Sequence, residues 1–543
     1  MQMKKYIIHS VLGLTMALTL SACMKDLDQE PIDPDSVTEI EVYKNATEAK
    51  GALTKIYAAM SLTGQKGPHG AADIDAQDEG ENGYLRNLFY VQEFSTDEAM
   101  TVWTDGGALS FHAMDWTSSN KFINMYYNRL GQQIMFANSF IDNAQPLAAD
   151  REVQYYIAEA RFLRAYAYYN VIDAFGKAPL LTSSNVEEKP FQKSRVELFN
   201  FVESELKDLE TKLKAAGSNE YGRVDAAAAQ ALLARLYLNA KVYTGVERYT
   251  DCVTYAKKVI NTSYRLHTTD RNNNGTAYDD LFLADNDRNG AQNEFIFVVS
   301  CDGLNTKSYS SATFLIHAAI GGTVPAAALG MNGGWNGITT TKEFVNKFEV
   351  QGTNLKNEPT SWKDKRAMFH TDGQSFETQN LTNFQKSGYA VTKFKNITSE
   401  GQPGKDPAKE FADTDLPIIR LAEVYLTYAE AVLRGGTGGD RATALDYINQ
   451  LRTRAYGNAS GNITDTQLTL DFILDERARE LYWEGLRRTD LIRYDKFTTN
   501  SYLWSFKGGA ISGVAVPAFR NIFPIPDDAR SANSNLQQNP GYN

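Results

Sequence analysis

Apolar residues recur every three or four positions through Val153, Ile157, Ala160, Leu163, Ala167 and Val171, the spacing of one face of an α-helix. Gly176 and Pro179 then end that segment. The same periodicity predicts helices over residues 194–214 and 249–260. Another begins at Asp225, placed as an N-cap before an alanine-rich stretch with Leu232, Leu236 and Ala240 on one face. Helices at 421–433 and 442–454 flank the turn Gly435-Gly436-Thr437-Gly438-Gly439, and a longer one of alternating charge is predicted over 471–493. Small residues (Ala226 to Ala229, Ala429, Ala431) stand where paired helices would touch, so the pattern reads as irregular tetratricopeptide-like units.

Two stretches break this rhythm. Residues 63–119 and 268–416 are rich in Gly, Asn, Asp and Thr and read as loops with short strands, such as 294–300. Loops of that length in a compact protein are usually functional. Far apart in sequence, the two insertions are placed to meet and build one site on a helical scaffold.

The N-terminus carries an address. Lys4 and Lys5 precede an apolar run from Ile7 to Leu20, too short to span a bilayer and right for a signal-peptide core. It ends in Leu20-Ser21-Ala22-Cys23, the pattern of a bacterial lipobox, which makes Cys23 the lipidation site. Several acyl chains on one residue hold a protein on a membrane without a spanning helix. Residues 24–36, with Pro31 and Pro34, form a polar leash. The expected organisation is a signal peptide at 1–22, a lipidated tether at 23–36 and a single body at 37–543.

Composition narrows the chemistry. Hydrophobic residues make up 43% of 543, enough for a sizeable core, while a net charge of −11 without a basic stripe excludes nucleic acid as a partner. Three cysteines form neither a disulfide framework nor a zinc pattern; Cys252 and Cys301 are read as buried free thiols, with a disulfide between them as the alternative. No two of the six histidines stand at metal-ligand spacing. Asp73, Asp75, Asp78, Glu79 and Glu81 cluster in one loop, and a glycosidase needs only two carboxylates, but no apolar pocket that would raise one pKa is visible. Arg487, Arg488, Asp490 and Arg493 are expected to form structural ion pairs with neighbouring helices.

The loops also hold aromatic residues suited to a sugar face. Trp103 lies in Thr101-Val102-Trp103-Thr104-Asp105-Gly106, Trp335 in Asn332-Gly333-Gly334-Trp335-Asn336-Gly337, and Tyr309 in Lys307-Ser308-Tyr309-Ser310-Ser311. A flat ring stacks on the apolar face of a pyranose, and planar polar groups bond its hydroxyls. The competing reading of a lone loop tryptophan is an anchor for its own loop. Two runs, Asp270-Arg271-Asn272-Asn273-Asn274-Gly275 and Asp285-Asn286-Asp287-Arg288-Asn289-Gly290, resemble half of a calcium loop. Their closing positions are Leu281 and Ile296 rather than Glu, so Asx-rich turns are the alternative.

Several motifs resemble one family. Glu159-Ala160-Arg161-Phe162-Leu163-Arg164-Ala165-Tyr166 with Phe175-Gly176-Lys177-Ala178-Pro179, Arg420-Leu421-Ala422-Glu423-Val424-Tyr425-Leu426, the charged run 476–493 and the tail Gln538-Asn539-Pro540-Gly541-Tyr542 are similar to the SusD/RagB family. Gln77-Asp78-Glu79-Gly80-Glu81 with Arg86, and Tyr502-Leu503-Trp504 with Lys507-Gly508-Gly509-Ala510, resemble the starch-binding member for which the family is named. The resemblance implies a mostly α fold of about four tetratricopeptide-like helix pairs, decorated by long loops and short strands that form the ligand site. It implies an outer-membrane lipoprotein facing the cell exterior that does no chemistry. Its ligand would be an oligosaccharide, an α-glucan favoured, delivered to a TonB-dependent transporter of the SusC type. Trp103, Tyr309 and Trp335 match the aromatic arc that cradles the glycan, and Arg86 and Asp78 match its polar partners. No cofactor is required, though a structural calcium ion at Asp287 is an expectation. The starch-binding member carries a further Trp and an Asn near the first tryptophan; here those places are Thr101 and Gly106, which implies weakened or retuned binding. The remaining alternatives are another glycan, oligopeptides on the same fold, or a surface glycosidase.

Overall fold

The computed structural model describes residues 42–542 apart from Asp75, Gln77 and Glu187. Cys23, its tether and Asp75 therefore lie outside the described residues. The principal helices are α1 (Ala46–Ala58), α2 (Tyr84–Glu93), α3 (Lys121–Ala144), α4 (Arg151–Ala174), α5 (Arg195–Leu209), α6 (Ala226–Leu238), α7 (Tyr249–Ile260), α8 (Ser311–Ala319), α9 (Leu421–Leu433), α10 (Arg441–Tyr456), α11 (Leu470–Leu481) and α12 (Arg487–Arg493). Their starts are chemically marked. Asn45, Asn120, Asp150, Asp225, Asp440 and Thr469 each cap a helix with a side-chain oxygen that accepts a first-turn N–H. Ser194 and Glu197 form a capping box at α5.

The helices pack in succession: α3 on α4, α4 on α5, α5 on α6, α6 on α7, α7 on α9, and α9 on both α10 and α11. The array holds the pairs α3–α4, α5–α6 and α7–α9, with α10 and α11 both on α9, and the third pair, α7 with α9, closes across residues 261–420. The chain leaves the array after α7, builds the insertion, and returns at α9. Strands β2 (Phe295–Val299) and β4 (Leu416–Arg420) pair antiparallel at the base of that insertion. Strands β1 (Met100–Thr101) and β3 (Ile338–Thr339) pair Met100 with Thr339 and Thr101 with Ile338, so the two loop regions meet.

Four helices, α1, α2, α3 and α8, are absent from the periodic reading, the last three for one reason. All ten residues of α2 are buried, including Arg86, Asn87, Gln92 and Glu93, and all nine of α8 are buried. In α3 the buried face includes Arg129, Gln133 and Asn138, which disguise the apolar stripe. The long helix expected over 471–493 is two helices. At the break Trp483 (φ 63°) and Gly485 (φ 77°) are left-handed. Glu93 accepts the N–H groups of Gly485 and Leu486, and the Trp483 indole donates to the Glu98 carbonyl. These tertiary bonds from α2 and the segment after it replace the helical ladder.

The charged run that follows is buried and paired. Arg487 bonds Asp97 at 2.7 Å, Arg488 bonds Asp173 at 3.1 Å, and Arg493 bonds Glu430 on α9 and Asp490, both at 2.7 Å. A second network joins insertion to array: Arg420 meets Glu294, Glu480 and Glu484, while Arg366 meets Asp364, Glu476 and Glu480. Cys252 and Cys301 are free and buried.

Candidate glycan-binding cleft

The β1–β3 pairing creates the site. Immediately beyond it, the Val102 N–H donates to the Gly337 carbonyl at 2.8 Å, which sets Trp103 beside the loop of Trp335. The Trp103 indole N–H donates to the Trp335 carbonyl at 3.4 Å. Buried His112 fixes β1 from behind: its Nε2 accepts the Thr101 N–H at 2.8 Å, and burial lowers its pKa to about 4, so the ring is the neutral acceptor this bond needs. The Trp335 loop is tightly turned. Trp335, Asn336 and Gly337 donate their N–H groups to the carbonyls of His317, Ile320 and Ala318 at the end of α8.

Tyr309 stands just before α8. Its ring centroid is 6.1 Å from that of Trp335 and 5.0 Å from that of Phe411. Its hydroxyl donates to Glu410 at 2.6 Å and lies 3.2 Å from His69 Nε2. Burial and the Glu410 carboxylate push that hydroxyl well above its usual range, so it stays protonated. Gly80 (φ 84°) packs so closely on the Tyr309 backbone that a side chain there would collide with it.

Arg86, in the first turn of α2, lies beneath the cleft, its guanidinium 4.8 Å from the Phe314 ring centroid and 5.8 Å from that of Trp103. Its Nε bonds the Tyr90 hydroxyl at 3.2 Å and its Nη2 bonds Asp78 at 3.2 Å, while Nη1 is buried without a hydrogen-bond partner among the described residues. Burial opposes the Arg86 charge, yet Tyr90 and Asp78 hold it more firmly protonated than usual. At Asp78 burial, with help from Glu81 and Glu79, outweighs the pull of Arg86 and holds the carboxyl above its ordinary value.

These residues line one open cleft of about 910 Å³: His69, Asp78, Glu79, Arg86, Trp103, Asp105, Tyr309, Trp335 and Glu410. All five positions matched to sugar contacts are therefore together, across 257 residues of sequence between Asp78 and Trp335. Glu410, Asp105 and His69 are additions that sequence reasoning missed; each is a lone polar residue in a polar loop, with no local signal. Thr101 and Gly106 give the cleft no side chain: Thr101 is fully buried, and Gly106 (φ 59°) is not among the lining residues. The cleft offers two indoles, a phenol, a guanidinium and several carboxylates, which suits stacking and hydroxyl recognition.

The first calcium-like run closes a local turn, and the second makes a distant contact and an ion pair. Asp270 accepts the N–H groups of Asn274 and Gly275, Asp285 takes Ser399, and Asp287 pairs with Arg288 at 2.8 Å. Among the described residues no group of three or more His, Cys, Asp or Glu side chains is placed to hold a metal ion.

A helix-pair scaffold carries in its insertions one open cleft lined by two indoles, a phenol, a guanidinium and carboxylates, a lining suited to binding. The chain belongs to the SusD family: the SusD family model matches residues 293–542, and a second, "Starch-binding associating with outer membrane", matches 66–238. It is 34% identical to the starch-binding protein SusD of Bacteroides thetaiotaomicron over 99% of both chains. It is 23% identical to the SusD-like protein P38 of Formosa agariphila over 96% of each. Among solved structures, surface glycan-binding protein A from Bacteroides fluxus matches 91% of this chain and 99% of its own at a TM-score of 0.68 and 20% identity. A SusD homolog from Bacteroides thetaiotaomicron reaches a TM-score of 0.70 at 19% identity, covering 93% of this chain and 99% of its own. The protein is thus a member of a glycan-binding, outer-membrane-associated family whose named members are not enzymes.

Proposed function

We propose that the protein captures neutral oligosaccharides, α-glucans first among them, and passes them to a TonB-dependent outer-membrane transporter of the SusC type. The observation that carries the reading is the convergence of Trp103, Tyr309 and Trp335 on one cleft above Arg86. A similar relative is named for starch binding, which supports the α-glucan assignment. Asp78, Glu79, Asp105 and Glu410 outnumber Arg86, so the lining disfavours anionic glycans. Lipidation at Cys23, on the exterior side of the outer membrane, would concentrate many copies and give avidity for polymer. The transfer needs no turnover and no cofactor.

Calorimetric titration of the full chain in a non-glycosidic detergent with maltoheptaose tests this. Saturable heat is expected, with a Kd on the order of μM to mM and little dependence on salt. Trp335→Ala abolishes it. Saturable heat that survives in that variant, or none in the parent, overturns the assignment. Recovery of uncut maltoheptaose distinguishes capture from hydrolysis.

A further inference from the structure

Three parts of the cleft converge on His317. It lies near the end of α8, 3% exposed, with its ring parallel to Trp335: the centroids are 4.8 Å apart and the planes meet at 10°. Its Nδ1 is 2.9 Å from the Gly333 carbonyl oxygen and its Nε2 is 2.9 Å from the Glu410 carbonyl oxygen. Gly333 opens the loop that presents Trp335. Glu410 takes the Tyr309 hydroxyl. One imidazole therefore ties together the backbones that position two of the three cleft aromatics.

Both of its partners can only accept. A neutral imidazole has one N–H and one lone pair, so one of the two contacts sets a lone pair against a carbonyl oxygen. An imidazolium donates to both. We propose that His317 is a positioning residue whose protonation clamps the Gly333 and Glu410 loops together, so that glycan affinity at the cleft rises as pH falls. The inference rests on the glycan-binding reading of the same cleft. A sugar that bridges Trp335 and Tyr309 needs both loops seated, and a clamp that seats them beforehand removes an ordering cost from binding. By reciprocity, bound sugar then holds the proton on His317 more tightly.

The charged surroundings set the pH range. Within α8 and residues 331–337 no other titratable side chain is present. The segment 404–411 contributes Lys405, Asp406, Lys409 and Glu410. The Asp406 carboxylate is committed to the N–H groups of Ala408, Glu410 and Phe411. The segment before α8 contributes Lys307 and Tyr309, and α2 contributes Arg86 over Phe314. Burial lowers the His317 ionisation below its ordinary 6.5 and outweighs the two carbonyls and Glu410, which favour the charge. The ring is therefore neutral at pH 7 in the free protein. Affinity increases as pH falls below that ordinary value.

Maltoheptaose affinity of the full chain is measured between pH 7.5 and 5.0 for the parent, His317→Gln and His69→Gln. The parent is expected to bind about three- to tenfold more tightly at the acid end, tenfold corresponding to a one-unit shift of the His317 pKa on binding. His69→Gln retains the slope and His317→Gln loses it. A flat parent profile, or an unchanged slope in His317→Gln, overturns the proposal. Tryptophan fluorescence without ligand gives a second readout, since an imidazolium stacked on Trp335 quenches it. Acid quenching present in the parent and absent in Trp335→Phe supports the clamp even if His317→Gln fails to fold; no quenching in the parent sinks it. If maltoheptaose binds at no pH while that quenching is intact, the glycan assignment fails and the clamp stands.

Discussion

At Gly337 the missing side chain lets the Trp103 ring lie directly over the backbone; a Cβ there would collide with the indole. The backbone of Gly337 needs no left-handed conformation, so an alanine is resisted by the ring alone. Gly337→Ala is expected to displace Trp103 and weaken maltoheptaose binding by about tenfold, while lowering the melting temperature by only a few degrees. Titration calorimetry and thermal unfolding on one preparation separate the two effects. Trp103, Tyr309 and Trp335 stood out as large rings in polar loops, and the family resemblance, not the loop context, matched them to one arc. Glu410 and His317 did not stand out. The one is an ordinary acid in a charged loop, and the other is a lone histidine in an apolar run; only contact with other segments gives either a role.

Helix α2 works as an element by being wholly buried. It holds Arg86 under the cleft at one end and Glu93 against the α11–α12 break at the other. Glu93 and Glu98 lie buried side by side there, each accepting N–H groups of the break. Burial raises Glu93 to about 7, and burial together with Glu93 raises Glu98 further above its ordinary value. Both folded values exceed the unfolded value of 4.5, so the folded chain holds protons that the unfolded chain releases. The stabilisation is full below pH 4.5 and is lost as pH rises through 7. Glu93→Gln keeps an acceptor for Gly485 and Leu486 but cannot ionise. Relative to the parent it should gain about 2–3 kcal/mol between pH 5 and pH 8, read from urea unfolding at each pH. An unchanged difference across that range would rule out the raised Glu93 ionisation. The alternating charges of 471–493 announced a helix, and they do not reveal a break imposed by residues nearly four hundred positions earlier.

Across the whole molecule, the insertion is welded to the helix array by charge. Arg420 at the end of β4 faces Glu294, Glu480 and Glu484 with 1% of its side chain exposed. Arg420→Met leaves buried carboxylates short of a partner and is expected to cost about 3–5 kcal/mol, measured by chemical denaturation; a loss below about 1 kcal/mol would mean that Arg366, with Arg454 on Glu294 and Glu480 and Lys393 on Glu484, suffices. Sequence by itself determined α4 to α7, α9 and α10, the cap at Asp225, the two long insertions and the residue types able to stack on a sugar. Those features are local: periodicity, capping and glycine turns act within a few residues. Tertiary structure alone decided that the third helix pair closes across residues 261–420, and that β1 meets β3. It alone decided that α2, α3 and α8 are helices, because burying polar side chains erases the amphipathic stripe and leaves distant partners to fix the fold.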